Sequence, residues 1–338
     1  MPVKTMLAGA TALALISGAS AAQEFNLRLA HWVPPTHPIQ PLGIEPWIES
    51  IGEASGGRID VTIFPAQQLG AAPDHYDMTR DGIADIGYVN PGYQAGRFPI
   101  YSLIEIPFHA NNAVGGAQAL HEWYAAIAET EMADVKFCIA NPHDPGTFHS
   151  KVPIKVPADV DGLNVRPAHA TMARFVSSLG GGPVQVPAPE AREVIANGMV
   201  DAITFPWNSI YISGIDSETR YHLDMPFYIS AQLLLINKAT YEGMPADLKT
   251  VIDDHCTPEW SKRFSTGLAE NEASGRQKMI DDPEHILYLP TEEEVQAWRD
   301  AAAPLVNQWK EDAAAAGVDP EAVYQSYIDA LERHDSRF

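Results

Sequence analysis

The stretch "DGLNVRPAHATMARFVSSLG", residues 161–180, sets one arginine, Arg166, in a strand-like run immediately before a proline. A guanidinium is a planar, permanently charged fork of donors that matches a carboxylate in a bidentate pair. The chain carries 44 acids against 22 bases, for a formal net charge of −22. An anionic partner must therefore be captured locally, against the overall field. The competing reading of Arg166 is a surface ion pair with one of the many acids. The other chemistry-bearing side chains are imidazoles: His31 and His37 lie six apart, and so do His143 and His149 in "HDPGTFH". Neither spacing is diagnostic of a metal site or of a nucleophile with its base.

Several chemistries have no residues to rest on. The glycines at 180–182 follow a helix-like segment instead of opening one, so they do not form a phosphate loop. No GxSxG elbow, HExxH pair or paired-cysteine metal pattern occurs. No cofactor and no metal are expected, and the chain does not read as an enzyme. The rival enzyme reading is a secreted hydrolase or lyase using His149 with an acid. The acidic balance argues against nucleic acid or an anionic membrane as partner, since both demand a basic face.

The elements that must position these residues follow from patterning. With 338 residues and 46% hydrophobic content, the chain can bury a sizeable core and form two lobes. The N-terminus, "MPVKTMLAGATALALISGASAAQEF", has one early cation, an apolar stretch and small residues. This is the form of a secretory signal peptide, spanning 1–22. No later window offers ~18 uninterrupted apolar residues, so no membrane span is expected. "FNLRLAHW", "RIDVTIFP" and "IADIGYV" read as strands alternating with helical segments, the pattern of a parallel sheet covered by helices. "VKFCIANP" is a further strand. The pattern restarts with "LNVRP", "PVQVP" and "VDAITFP", and "AQLLLINK" reads as a strand returning to the first lobe. The expected division is 23–149 plus about 230–270 for lobe I, and 150–229 plus about 271–338 for lobe II. Cys138 and Cys256 are far apart in sequence, and whether they pair is left open.

Open α/β sheets bind ligands beyond the carboxyl ends of their strands. The residues at those ends are Trp32, Asn90, His143 to His149, Arg166, and Phe205 to Trp207. They combine one guanidinium, imidazoles and aromatics, with no carboxylate pair.

Five segments in order carry a family resemblance: "GGRIDVTIFPAQQLG", "DGIADIGYVNPGY", "DGLNVRP" with "SLGGGPVQVP", "NGMVDA", and "LLLINKATYEGMPADLKTVI". Together they resemble the DctP-type substrate-binding proteins of tripartite ATP-independent periplasmic (TRAP) transporters. The resemblance implies an α/β periplasmic binding protein fold: two lobes that close on a ligand, with a long helix spanning both. It implies a periplasmic location, a membrane permease as partner, and a monomer. It also places Arg166 where the family's arginine forks the ligand carboxylate. Around that position the chain departs from the dicarboxylate and sialic-acid branches. Pro145-Gly146 stand where a second arginine is often found, Phe205 where an asparagine stands, Trp32 after the first strand, and Ala188 where an aromatic is common. The reading is a receptor for an organic monocarboxylate, such as an aromatic acid, with a sugar acid as the alternative. Arg166 would anchor the ligand, Asn90 and His149 would hydrogen-bond it, and Trp32, Phe205, Trp207 and Tyr228 would form the apolar wall. The same aromatics could instead pack in the core or hinge.

Overall fold

The computed structural model describes residues 24–338; the signal-peptide expectation lies outside these residues. Eleven strands form two sheets among the described residues. In the first, β1 (Phe25–Ala30), β2 (Ile59–Phe64) and β3 (Ile86–Val89) run parallel, as the strand–helix alternation requires. β4 (Val135–Pro142) lies at the far edge. The second sheet has the order β11-β9-β5-β8-β6-β7. Its strands are β5 (Thr147–Ser150), β6 (Asn164–Arg166), β7 (Gly182–Pro183), β8 (Ala202–Phe205), β9 (Tyr221–Leu223) and β11 (Ile286–Tyr288). The first sheet is completed by β10 (Ala231–Asn237), which enters antiparallel between β3 and β4.

Every residue of β10 is buried. A continuous apolar run is what a strand covered on both faces needs, and "AQLLLIN" supplies it. Its return from the second lobe makes the first sheet mixed, a feature the strand–helix pattern alone did not indicate. "PVQVP" contributes only Pro183 to a strand, because the chain turns away after a single pairing with Val165.

The lobe boundaries differ from expectation in two places. Residues 147–149 belong to the second sheet, where Thr147 pairs with Phe205. The C-terminal helix Pro320–Arg333, expected with the second lobe, packs on helix Ala113–Ala125 beside the first sheet. Trp123 Nε1 donates to the Val323 carbonyl at 3.1 Å, and its ring sits 4.9 Å from that of Tyr327. The cause is the apolar stripe Val323, Tyr327, Leu331, spaced one helical turn apart, which finds its cover there.

The chain crosses between lobes at residues 143–146 and 224–230, and these two crossings hydrogen-bond each other. Ser230 N donates to His143 Nε2 at 2.9 Å, and Gly146 N to the Tyr228 carbonyl at 2.9 Å. The third tie is the helix Pro258–Asp281, whose 24 residues extend about 36 Å. Thr257 caps it, and Pro258 occupies the first turn, where a missing N–H costs nothing. Its early face is bound to the first sheet: Ser261 Oγ accepts from Ala140 N at 2.9 Å, and Ser265 Oγ from Asn141 Nδ2 at 2.9 Å.

Cys138 of β4 and Cys256, just ahead of that helix, form a disulfide with their Cα atoms 4.3 Å apart. Trp47 Nε1 donates to the neighbouring His255 carbonyl at 2.9 Å. The bridge closes a loop spanning 118 positions. Chain entropy predicts that opening it costs up to ~4–5 kcal/mol. A Cys138→Ala/Cys256→Ala double variant is expected to unfold at clearly lower denaturant. An unchanged midpoint would show that the bridge adds nothing to the folded lobe.

Candidate functional site

Between the lobes lies a cavity of about 380 Å³, within the range of small-molecule sites. Strand ends from both sheets supply its walls. Trp32 follows β1, Asn90 follows β3, and His143 follows β4; Arg166 ends β6, and Phe205 ends β8. Tyr228 enters from the crossover segment. The Asn90 side chain is oriented by accepting from Gly92 N at 3.0 Å.

Arg166 is the one buried arginine among the described residues, 1% exposed. Its Nε donates to the Val186 carbonyl at 3.0 Å, and Nη1 makes a long contact of 3.4 Å with the Thr204 carbonyl. Nη2 has no partner. No carboxylate pairs with this guanidinium among the described residues, so the surface ion-pair reading does not hold. The Phe205 ring lies 5.5 Å from its carbon, close enough for cation–π attraction. The Tyr228 hydroxyl and Trp32 Nε1 are also buried without partners, and burial pushes the Tyr228 hydroxyl pKa up, keeping it a donor. One uncompensated cation and two orphaned donors on the wall of one cavity have a common complement, an anion with acceptor oxygens.

Most of the rest of the lining is apolar or already hydrogen-bonded, and the exposed Arg192 donates to the Gly214 carbonyl at 2.9 Å. Burial lowers the His143 pKa to about 4, so the ring is neutral; it donates from Nδ1 to the Asp144 carbonyl at 2.6 Å and accepts from Ser230 N. Tyr88, Tyr93, Pro206 and Leu268 add apolar surface. At Gly146 an added Cβ would lie 2.8 Å from the Tyr228 hydroxyl and 2.6 Å from the Phe205 carbonyl. Tyr228 thus fills the space a longer side chain at 146 would need.

Two expected residues do not line this cavity. His149 is fully buried in the middle of the second sheet; its Nε2 donates to the Phe205 carbonyl at 3.1 Å, and its Nδ1 meets His222 Nδ1 at 2.7 Å. Both ring nitrogens are spent on β8 and β9. Trp207 stands edge-on to His149, at 5.2 Å between ring centroids, within the second-lobe core that includes Met279. The turn after Phe205 directs it there. His143, named among the strand-end residues, lines the cavity as well; Tyr88, Tyr93, Gln232 and Leu268 also line it and were not singled out. Leu268 comes from the spanning helix, which no strand-end rule reaches.

That helix also holds the second-lobe wall. Glu272, 2% exposed, accepts from Asn208 N at 2.6 Å, from Ser209 N at 3.1 Å, and from the Ser209 hydroxyl. Three turns of one face carry Ser265, Leu268 and Glu272: a first-lobe tie, a cavity contact and a second-lobe tie. Gly275 continues the row, and a Cβ there would lie 2.3 Å from the backbone of Trp207 and Asn208. Gly275→Ala is therefore expected to destabilise by about 1–3 kcal/mol, despite alanine's better helix propensity. Thermal unfolding reads this; a stabilised variant would mean the contact is loose.

Comparison with known proteins agrees with this geometry. Residues 29–312 match the family described as bacterial extracellular solute-binding protein, family 7. A TRAP solute binding protein from Rhodoferax ferrireducens T118, solved with copurified benzoate, superposes with a TM-score of 0.86 at 29% identity, covering 92% of this chain and 98% of that one. A marine metagenome TRAP solute binding protein specific for aromatic acid ligands, solved with 3-hydroxybenzoate, superposes with a TM-score of 0.86 at 27% identity, covering 93% and 100%. The C4-dicarboxylate-binding periplasmic protein of Rhodobacter capsulatus is 22% identical, over 90% of this chain and 92% of its own length. A family match over most of the chain, two lobes on two sheets and a ligand-sized cavity between them lead to one conclusion: the chain belongs to bacterial extracellular solute-binding protein family 7, the solute receptors of TRAP transporters.

Proposed function

We propose that the protein captures an aromatic monocarboxylate in the periplasm, after export by its signal peptide, and delivers it as a monomer to a membrane permease. The observation that carries the ligand class is one unpartnered, buried guanidinium in a cavity whose walls are mostly apolar and partly aromatic. The one buried cation matches a single carboxylate; Arg192, also on the lining, is exposed and held by the Gly214 carbonyl and Glu218. A second carboxylate would meet Trp32, Phe205 and Leu268 and stay unpaired at a high desolvation cost. The similar receptors holding benzoate and 3-hydroxybenzoate support the same class. Arg166 forks the carboxylate with Nη2 and Nη1, Tyr228 donates to it, Asn90 offers its amide, and Trp32 and Phe205 sandwich or flank the ring.

The test is calorimetric titration with benzoate and its hydroxylated relatives. Removing one partner of a buried charge pair costs about 2–5 kcal/mol, or roughly 30- to several thousand-fold in affinity. Arg166→Ala is expected to fall in that range. Arg166→Lys keeps the charge but loses the fork, so it is expected to bind clearly more weakly than the parent. Binding of both variants within about threefold of the parent, a difference below ~0.7 kcal/mol, would remove Arg166 as the anchor.

A closing receptor also predicts a change of shape. Tyr93 of the first lobe accepts from Ala188 N of the second at 3.1 Å, a contact that holds only while the lobes are together. Ligand that bridges both walls favours the form in which they meet. Small-angle scattering at saturating benzoate is expected to show a smaller radius of gyration than the ligand-free protein. Identical profiles would count against closure.

A further inference from the structure

Away from the cavity lining, Glu105 is a buried acid that the binding site does not use. Glu105 is 1% exposed and closes the turn Tyr101–Glu105 of the first lobe. Its Oε2 receives the Thr171 hydroxyl at 2.8 Å and lies 3.3 Å from His169 Nδ1. Oε1 has no partner and occupies the space beside Gly92, where a Cβ would lie 1.9 Å away. His169 and Thr171 belong to the second lobe, at the start of helix Ala170–Ser178, three and five residues after Arg166.

The hydrogen-bond pattern fixes the state of this cluster. His169 Nε2 donates to the Ile229 carbonyl at 3.2 Å, and His169 Nδ1 accepts from Met172 N at 3.1 Å. The ring is therefore the neutral Nε2–H tautomer; its one free ring lone pair is given to Met172 N, and it offers Glu105 no proton. An ionised carboxylate would have Thr171 as its only hydrogen-bond donor, with Oε1 left unpartnered. Burial acts in the same direction, raising the Glu105 pKa to about 8 and lowering that of His169 to about 3. The charged and titratable groups facing the pair are few. Tyr101 is on the same turn. Arg174, from helix Ala170–Ser178, favours ionisation of Glu105 but is itself paired to Asp312 at 2.6 Å. Arg166 and His143 act on His169 from the cavity side. A second cavity of about 330 Å³ adjoins Glu105 and Thr171 and is rimmed by Arg174 and Asp312.

We propose that Glu105 is a positioning residue for ligand capture: its protonated carboxyl joins the first lobe to the helix that follows Arg166 and holds the lobes closed. This rests on the closing-receptor reading. When the lobes part, the carboxyl meets water and regains an ordinary acidity; when they close, it must carry a proton. Closure thus takes up a proton, and the closed form is favoured at low pH. Capture weakens as pH rises from the usual carboxylate range toward about 8 and levels off beyond, because both forms are then ionised. Burial holds His31 and His143 near 4, so they stay neutral across most of that window, and benzoate stays ionised.

The test titrates benzoate by calorimetry from about pH 5.5 to about pH 8.5, using the parent, Glu105→Gln and Thr171→Val. Glutamine is a permanently neutral donor of the same shape. The parent Kd is expected to rise at least about threefold over the window, while that of Glu105→Gln changes by less than about 1.5-fold. Thr171→Val removes only the cross-lobe hydroxyl and is expected to bind more weakly at every pH. Parallel pH profiles for the parent and Glu105→Gln would overturn the proposal. If benzoate fails to bind the parent at any pH, the aromatic-acid reading falls. Glu105 is then judged by ligand-free small-angle scattering: the parent is expected to be more compact at about pH 5.5 than at about pH 8.5 while Glu105→Gln keeps one radius of gyration, and parallel behaviour would reject the role. If Glu105→Gln does not fold, Thr171→Val decides alone: affinity equal to the parent's at every pH would reject the clamp.

Discussion

The buried, half-satisfied guanidinium of Arg166 is the constraint around which the molecule is arranged. Taking a cation out of water costs several kcal/mol even after local relaxation. The protein leaves much of that cost uncompensated, since the Val186 and Thr204 carbonyls satisfy only part of the donor fork. Such a group persists because the surrounding sheet holds it there. β6 pairs with β8 at Arg166 and Ile203, and Pro167 prevents the strand from continuing past the guanidinium. What the fold withholds, an anion can supply, and this is how a chain with net charge −22 can attract one.

Specificity follows from what surrounds that charge. In a low-dielectric cavity an unpaired second charge is costly, whereas a ring meets Trp32, Phe205 and Leu268 without penalty. Tyr228 is central here. Its ring occupies the space a longer side chain at Gly146 would need, so an aromatic donor stands on the cavity wall there. One fold can host different ligand classes, because the ligand is chosen by the side chains of the cavity wall and not by the sheets behind them.

Binding energy becomes useful only if the two walls report to each other. The spanning helix does this with one face: Ser265 reaches the first sheet, Leu268 touches the cavity, and Glu272 holds the Asn208–Ser209 turn. The disulfide fastens the segment entering that helix to β4, so the first-lobe end is rigid. On the closing-receptor reading, movement is directed to the two crossover segments, which hydrogen-bond each other and can bend together. Glu105 adds a contact between lobes whose strength depends on a proton and not on the ligand itself.

Local pattern was sufficient for much of this. Alternation in "FNLRLA" and "IDVTIF" marks strands, the unbroken "AQLLLIN" marks a central strand, and a strand end before proline marks Arg166 as a site residue, because each depends on neighbours in sequence. The same rule brought Trp32, Asn90 and Phe205 to the cavity. It failed for His149 and Trp207, whose orientations are decided by partners at His222 and on the spanning helix, far away in the chain. The pairing of Cys138 with Cys256, the docking of the last helix on Ala113–Ala125, and the burial of Glu105 beside His169 and Thr171 are likewise products of packing. The sequence by itself determined which residue types stand at the strand ends. Only the tertiary structure decided which of them face the cavity and which are consumed by the core, because side-chain direction and desolvation depend on neighbours that come together after folding.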